Sequence, residues 1–135
     1  VVSLYCKTRH MKNNALDILQ VDASSYIVYR VKDVLAKQGI QAHVKSVETV
    51  AEATSYFREK HPDLVITDLD LPDESGLELI KTIGKEKGHT KLYVLTHFTI
   101  DAFRNMALSS GADSFLDKAN DIDKILPGMI YSYAA

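Results

Sequence analysis

Short apolar segments alternate along this chain with longer stretches in which apolar residues recur at helical spacing. Residues 64–67 (LVIT) are almost entirely apolar, as in a strand that is buried on both faces of a parallel sheet. Ile27, Val31 and Val34 instead follow one another at intervals of three or four residues, which places them on one face of a helix. The pattern therefore predicts strands and helices in alternation.

Five strands and five helices are predicted in this way. The strands are residues 18–21, 42–46, 64–67, 92–95 and 114–116. The helices are marked by apolar residues on one face: Ile27, Val31, Val34 and Leu35; Val50, Ala53 and Phe57; Leu77, Ile80 and Ile83; Phe103, Met106, Ala107 and Leu108; and residues 122–126. Strict alternation implies right-handed crossovers, a parallel sheet and helices on both of its faces, which is a doubly wound α/β fold.

Polar side chains stand where four of the predicted strands end. Asp22, Asp68, Thr96 and Lys118 follow the first, third, fourth and fifth strands. In doubly wound sheets the carboxyl ends of the strands form the functional edge. Taken alone, each residue is explained by a cap, a turn or the solvated surface, but their common edge favours a site. Two carboxylates suit Mg²⁺, a carboxylate is a nucleophile toward phosphorus, and a lysine and a hydroxyl bind phosphoryl oxygens.

Length, charge and hydropathy narrow the class of protein. The 135 residues fit one domain, and their net charge of −2 gives no reason to expect direct nucleic-acid binding. No apolar run reaches the roughly 20 residues that cross a membrane. A single cysteine, Cys6, fits a reducing compartment, so we expect a cytoplasmic protein.

The chain divides into an N-terminal extension, residues 1–15, and one domain, residues 16–135. The pair His10-Met11 is also what a cloning junction would leave, and the native chain would then begin at Met11. Both origins of the extension stay open on the sequence alone.

Four segments carry a resemblance to a known family, the receiver domains of bacterial response regulators. They are ILQVDAS (18–24), PDLVITDLDLPDESGLELIKTI (62–83), VLTHF (94–98) and GADSFLDK (111–118), and the resemblance covers roughly residues 16–126. It implies a flavodoxin-like (βα)5 domain whose five-stranded parallel sheet has the strand order 2-1-3-4-5.

The resemblance also implies roles for individual residues. Asp68 would accept a phosphoryl group from a histidine kinase or a phosphotransfer protein. Thr96 and Lys118 would then bind the phosphoryl oxygens, and the Phe115 ring would turn inward as Thr96 moves. Such a protein is a switch and not an enzyme, apart from assisting its own phosphorylation and dephosphorylation. A homodimer or an output-domain partner is also implied.

Receivers of this kind use Mg²⁺, and the resemblance assigns it to Asp22, Asp68 and the backbone carbonyl of Asp70. Asp73 and Glu74 extend this acidic rim and are expected to be solvated loop residues. Asp22, Asp68 and the Asp70 carbonyl would together form the metal-binding side of the site.

The sequence departs from the family pattern chiefly at Ala23, and in smaller ways at His97, Ala119 and Pro127-Gly128. Ala23 stands where these receivers usually have a second acid, which predicts a weakened Mg²⁺ site because Mg²⁺ has few protein ligands to lose. Pro127-Gly128 interrupts the last helix, which is expected to kink or stop near Leu126.

Two other functions remain open beside the phosphoacceptor. Ala23 favours a degenerate receiver, a phosphate-independent module for protein–protein contact, whereas Asp68, Thr96, Phe115 and Lys118 favour a working switch. A flavin- or nucleotide-binding domain would need a phosphate-cradling loop after the first strand. Residues 22–25 (DASS) are acidic there and lack glycine.

Overall fold

The structure is a computed structural model and describes residues 15–134, with the side chains of residues 15–131. The predicted extension, residues 1–15, lies outside this part apart from Ala15. The strands are β1 (Leu16–Val21), β2 (Ala42–Val47), β3 (Leu64–Thr67), β4 (Lys91–Thr96) and β5 (Ser114–Asp117). The helices are α1 (Ser25–Lys37), α2 (Val50–Lys60), α3 (Gly76–Glu86), α4 (Asp101–Ser110), α5 (Asp121–Lys124) and α6 (Leu126–Ala134). None of these helices is long and apolar enough to cross a membrane.

The five strands form one parallel sheet in the order β2-β1-β3-β4-β5. The register pairs Val21 with Thr67 and Thr96 with Asp117, so neighbouring strands end level with one another. The prediction of a doubly wound sheet with this strand order is therefore confirmed, and the residues that follow the strands share one edge.

Alternate residues of each strand face opposite sides of the sheet, and each side is covered by its own helices. On one side Val65 and Val94 pack with Phe57 of α2 and with residues of α3 and α4. On the other side Ile18 and Ile66 pack with residues of α1, α5 and α6. The central strands are thus buried on both faces, which explains their continuous apolar runs.

Hydroxyl side chains start the three helices that follow β1, β2 and β3. Ser24 accepts a hydrogen bond from the backbone N–H of Ile27, and Thr49 accepts one from that of Glu52. Ser75 does the same for Leu77 at the start of α3. Each hydroxyl satisfies an N–H that the first helical turn leaves without a partner, so these caps fix where the helices begin beside the functional edge.

Helix α4 is present as predicted, but its buried face is narrower than the sequence indicates. Met106 and Leu108 were expected to face the core, and 48% and 39% of their surfaces are exposed. Ala107 is the fully buried residue of this helix, and Phe103 packs partly against the core. The helix packs on the core through the small side chain of Ala107. The larger side chains of Met106 and Leu108 therefore lie partly exposed at the edge of the core.

The end of α4 meets α3 at a backbone-to-backbone contact between two glycines. A Cβ atom on Gly84 would clash with the carbonyl oxygen of Ser110. A Cβ on Gly111 would lie 2.7 Å from the Gly84 Cα, and Gly111 has a φ of +125°, which other residues rarely adopt. We refer to Gly84 and Gly111 as the glycine crossing.

The last helical segment is interrupted as predicted, although it resumes at once. Helix α5 ends at Lys124 and α6 begins at Leu126, with Ile125 between them. Pro127 lies in the first turn of α6, where the missing N–H costs no helical hydrogen bond. The proline therefore divides the segment without ending it, and Leu126 and Ile130 remain buried against the sheet.

Candidate functional site

A buried lysine joins two buried aspartates at the carboxyl edge of the sheet. The Nζ of Lys118 lies 2.8 Å from Oδ2 of Asp22 and 2.7 Å from Oδ2 of Asp68. The three residues are 4%, 4% and 7% exposed, in the order Lys118, Asp22, Asp68. They follow β5, β1 and β3, and the order of these strands brings together groups that are up to 96 positions apart in sequence (118 − 22). We call these three residues the lysine clamp.

The remaining oxygens of both carboxylates accept hydrogen bonds from the backbone. Oδ1 of Asp22 accepts from the N–H of Ser24 at 2.8 Å, and Oδ1 of Asp68 accepts from the N–H of Leu69 at 2.7 Å. Each carboxylate therefore has one oxygen on the ammonium group and the other on its own loop. Buried charges are tolerated where they are paired and hydrogen-bonded in this way.

Proton affinities in the lysine clamp reflect burial and the shared ammonium group. Burial alone would lower the pKa of Lys118, but its hydrogen bonds to Asp22 and Asp68 and their negative charges raise that pKa above 10.5. Burial raises the pKa of Asp22 above 3.8, because the stabilising hydrogen bond from Lys118 does not offset the loss of water and Asp68 adds repulsion. The ammonium group is thus held charged between two carboxylates that compete for it.

Thr96 lies at the end of β4, beside the strand that carries Lys118. Its side chain is fully buried, and its Oγ1 accepts a hydrogen bond of 3.1 Å from the N–H of Phe98. The carbonyl oxygen of Thr96 accepts the N–H of Lys118 at 3.0 Å. The Thr96 hydroxyl therefore belongs to the same edge and holds the start of the β4–α4 loop.

The Phe115 ring, in β5, lies on the side of the sheet that α2, α3 and α4 cover. It is buried in the core formed with α2, α3 and α4, and the guanidinium carbon of Arg104 lies 5.7 Å from the ring centroid. The sequence predicted a ring that turns inward as Thr96 moves. In this structure the ring already lies inside the core.

The loop between β3 and α3 is fixed close to the Asp68 backbone. The N–H of Gly76 donates to the carbonyl oxygen of Leu69 at 2.8 Å, and Asp70 and Ser75 form a single antiparallel bridge. A Cβ on Gly76 would clash with the carbonyl oxygen of Asp68, so only glycine allows this approach. The side chain of Asp70 is exposed on this loop.

Asp73 has a structural role that the sequence does not reveal. Its Oδ1 accepts the N–H of Val50 at 2.9 Å and its Oδ2 accepts the N–H of Ala51 at 3.1 Å, so it caps α2 from the β3–α3 loop. The sequence predicts that Asp73 is a solvated loop residue, and its side chain is exposed as predicted, but it also caps a helix. A cap supplied from more than 20 positions away leaves no local signature, whereas the Thr49 cap is readable from its own segment.

Replacing Asp73 by alanine is expected to lower the unfolding temperature at neutral pH and to speed hydrogen exchange at the Val50 and Ala51 amides. The hydrogen bond from Val50 is the main reason that the pKa of Asp73 lies below 3.8. A lowered folded-state pKa stabilises the protein above the ordinary pKa, and that contribution disappears as the pH falls through the folded value. The difference from the wild type should therefore shrink in acid. Glu74→Ala is the matched control, and equal exchange in both variants would show that Asp73 does not cap α2.

The two carboxylates at this edge that could bind Mg²⁺ are both held by Lys118. Ala23 is exposed and offers no side-chain oxygen next to Asp22. Asp22 and Asp68 lie close together as predicted, but both are bound to Lys118. Within residues 15–131 no group of three or more His, Cys, Asp or Glu side chains is placed to hold a metal ion. Mg²⁺ usually keeps several waters and is bound through one or two carboxylates, and both carboxylates here are already bound to Lys118, so these observations do not fit a magnesium site.

A doubly wound parallel sheet with buried Asp, Thr and Lys side chains at the ends of its strands defines the receiver class of α/β proteins. The family of response regulator receiver domains matches residues 18–128. The chain belongs to this family, whose members act in two-component signalling.

Two relatives illustrate the range of proteins that contain this domain. The chemotaxis protein CheY of Bacillus subtilis is 28% identical over 109 residues, which cover 81% of this chain and 90% of CheY. The virulence transcriptional regulatory protein PhoP of Salmonella typhimurium is 33% identical over 112 residues, or 83% of this chain and 49% of PhoP. The chain thus spans about half the length of the PhoP relatives that it matches.

Solved structures show the same fold. The BeF3-activated receiver domain of DrrB superposes with a TM-score of 0.75 at 25% identity and covers 88% of this chain and 97% of its own. The phosphorylated cyanobacterial phytochrome response regulator RcpA superposes with a TM-score of 0.80 at 19% identity, covering 90% of this chain and 95% of its own. The response regulator Rcp1, with a TM-score of 0.75 at 21% identity, is known in a Mn²⁺-bound form and covers 84% of this chain and 91% of its own.

Proposed function

We propose that this chain is a phosphorylatable receiver that accepts a phosphoryl group on Asp68. The observation that carries the proposal is the 2.7 Å ion pair between Asp68 and Lys118 at the carboxyl edge of the sheet. It places a nucleophilic carboxylate beside a fixed positive charge, and such a charge stabilises the oxygens of a transferring phosphoryl group. Membership of the receiver family supports the same reading.

The phosphoryl donor is a phosphohistidine on a histidine kinase or a phosphotransfer protein. An oxygen of the Asp68 carboxylate forms a bond to phosphorus while the bond from phosphorus to the histidine nitrogen breaks. The electron pair of that bond stays on the histidine nitrogen, the ring takes up a proton from solvent and leaves as neutral imidazole, and the product on this chain is an acyl phosphate. Asp68 and Lys118 take part in this transfer, and the chain is a switch that catalyses no reaction on another molecule.

The new charge at Asp68 changes the balance of contacts at the edge. Lys118 pairs with a phosphoryl oxygen, and the Thr96 hydroxyl turns from the N–H of Phe98 to another phosphoryl oxygen. The Phe115 ring, which is already buried, repacks toward the space that the Thr96 hydroxyl leaves. A group that adds negative charge and acceptor oxygens shifts the population of two conformations in this manner.

The partner that reads out the switch is a second copy of the chain or an output domain. The single cysteine fits the reducing environment of the cytoplasm.

The proposal predicts that acetyl phosphate adds one phosphoryl group to the wild-type protein. The measurement is intact mass after incubation with acetyl phosphate and Mg²⁺, with Asp68→Asn, which should gain nothing, beside it. Asp101→Asn is the matched control, because it removes an exposed carboxylate that lies outside the site and should label like the wild type. A folded wild-type protein that gains no mass would overturn the proposal.

A second function, phosphate-independent protein–protein contact, is favoured by one observation. Ala23 supplies no metal ligand, and the lysine clamp already neutralises part of the charge on Asp22 and Asp68. A domain locked in that state would bind its partner constitutively. The mass measurement separates the two functions. Phosphate-independent contact requires that Asp68 stay unmodified, whereas the phosphorylatable receiver gains one phosphoryl group.

A further inference from the structure

We infer that Lys118 takes the place of a divalent cation between Asp22 and Asp68, so that this edge of the sheet does not bind Mg²⁺ and any phosphorylation proceeds without it. The inference rests on the proposed function for what the site does. Binding itself is tested without phosphorylation.

The first step concerns the oxygens on the loop after β1. Ala23 has no donor atom, and the next residue, Ser24, uses its hydroxyl to accept the N–H of Ile27 as the cap of α1. The N–H of Ser24 is itself bound to Asp22. Asp22 is therefore the one residue from 22 to 24 with a side-chain oxygen directed to the clamp.

The second step concerns the carboxylate oxygens themselves. All four have a donor: the two Oδ2 atoms bind Lys118, and the two Oδ1 atoms bind the N–H groups of Ser24 and Leu69. A Mg²⁺ ion demands near-ideal octahedral geometry and gives up its waters reluctantly. To bind here directly it would have to displace the ammonium group from at least one aspartate.

The third step concerns charge. Two carboxylates and one ammonium group leave the clamp with a formal charge of −1 (−2 + 1). A dication at the same carboxylates would stand beside the buried ammonium group, and like charges at such short range repel strongly where water is scarce. A third carboxylate at position 23 would restore the missing charge together with a ligand. The alanine at position 23 therefore disfavours metal binding. The ammonium group of Lys118 supplies the positive charge that the metal ion would otherwise supply.

The test compares the wild type with Ala23→Asp and with the neutral, similar-sized control Ala23→Asn. Each ¹⁵N-labelled protein is titrated with MgCl₂, against NaCl at matched ionic strength. In the wild type and in Ala23→Asn, the amide signals of Ser24, Leu69 and Asp70 should move no more than in NaCl. In Ala23→Asp they should shift saturably, with an affinity at least about tenfold above the wild type, since one metal-site partner is commonly worth that much.

Two outcomes would overturn the inference. One is saturable movement of the Ser24 and Leu69 signals in the wild type at the affinity of Ala23→Asp. The other is a folded Ala23→Asp protein that binds no Mg²⁺, since position 23 would then not be the cause. If that variant does not fold, paramagnetic broadening by Mn²⁺ on the wild type decides: persistent signals support the inference, and selective loss of the Ser24, Leu69 and Asp70 signals refutes it.

A labelling experiment keeps this inference separate from the proposed function. Wild-type protein is incubated with acetyl phosphate in Mg²⁺ and, in parallel, in EDTA. Equal labelling at Asp68 in both supports the proposed function and the inference together. Labelling that requires Mg²⁺ upholds the proposed function and overturns the inference. No labelling in either overturns the proposed function, and the titration still measures metal binding.

Discussion

Replacing Lys118 by methionine is expected to lower the free energy of unfolding by roughly 3–5 kcal/mol at neutral pH, the usual cost of removing one partner from a buried ion pair. Methionine fills the volume of the lysine stem but leaves Asp22 and Asp68 without their common counter-ion. Two buried carboxylates would then repel each other, and within residues 15–131 neither has another cation bound to it.

The loss should depend on pH in a defined direction. The raised pKa of Lys118 means that its stabilising contribution is complete below about 10.5, the ordinary pKa, and is lost only as the pH rises through the folded value. Asp22 already has a raised pKa from burial, so its ionisation costs stability as the pH rises above 3.8. Without Lys118 this cost grows, and the variant should recover stability as the pH falls toward the ordinary pKa of an aspartate.

Urea unfolding of the wild type and of Lys118→Met at neutral and at mildly acidic pH measures both effects. Lys91→Met, which removes an exposed lysine from the same sheet, is the matched control and should change stability by no more than about 0.5 kcal/mol. If Lys118→Met is as stable as the control at neutral pH, the lysine clamp contributes nothing to the fold.

Replacing Gln20 by leucine is expected to raise the free energy of unfolding by about 1–3 kcal/mol, the cost of a buried polar group without a hydrogen bond. Gln20 lies in β1, two positions before Asp22 and on the same side of the sheet. It is fully buried, and within residues 15–131 neither its Oε1 nor its Nε2 has a hydrogen-bond partner. Leucine has a similar volume and no polar atom to desolvate.

Gln41→Leu provides the comparison for this second substitution, because Gln41 is exposed just before β2 and should tolerate leucine with little change. Chemical denaturation of the three proteins gives the answer. A loss of stability in Gln20→Leu, with Gln41→Leu unchanged, would mean that the buried amide is satisfied in solution and that Gln20 supports the fold beneath Asp22.

The element order and the functional edge could be predicted from the sequence because each rests on local patterns, whereas the strand order was implied by the resemblance to receiver domains. Residues 64–67 show burial on both faces, and the positions of Asp22, Asp68 and Lys118 after their strands place them on one edge. Parallel connectivity then leaves few alternatives. The convergence of these three side chains is confirmed by the lysine clamp.

The parts that could not be predicted depend on contacts between distant segments. Nothing near Asp73 indicates that it caps α2, since its partners lie at Val50 and Ala51. Helical spacing placed Met106 on the buried face, but the close approach of α4 to its neighbours left it at the rim. Periodicity tells which face is apolar, while the depth of burial depends on how closely the elements pack.

The glycine crossing determines which end of α4 is free to move. The backbones of Gly84 and Gly111 are in direct contact. Because the interior is close-packed, this contact keeps the C-terminal ends of α3 and α4 in a fixed position relative to each other. The opposite end of α4 begins at Asp101, beyond the loop that Thr96 holds through the N–H of Phe98. A rearrangement that starts at Thr96 would therefore rotate α4 about its C-terminal end. The largest displacement would be at the exposed Ile100 and Phe98, which precede the helix.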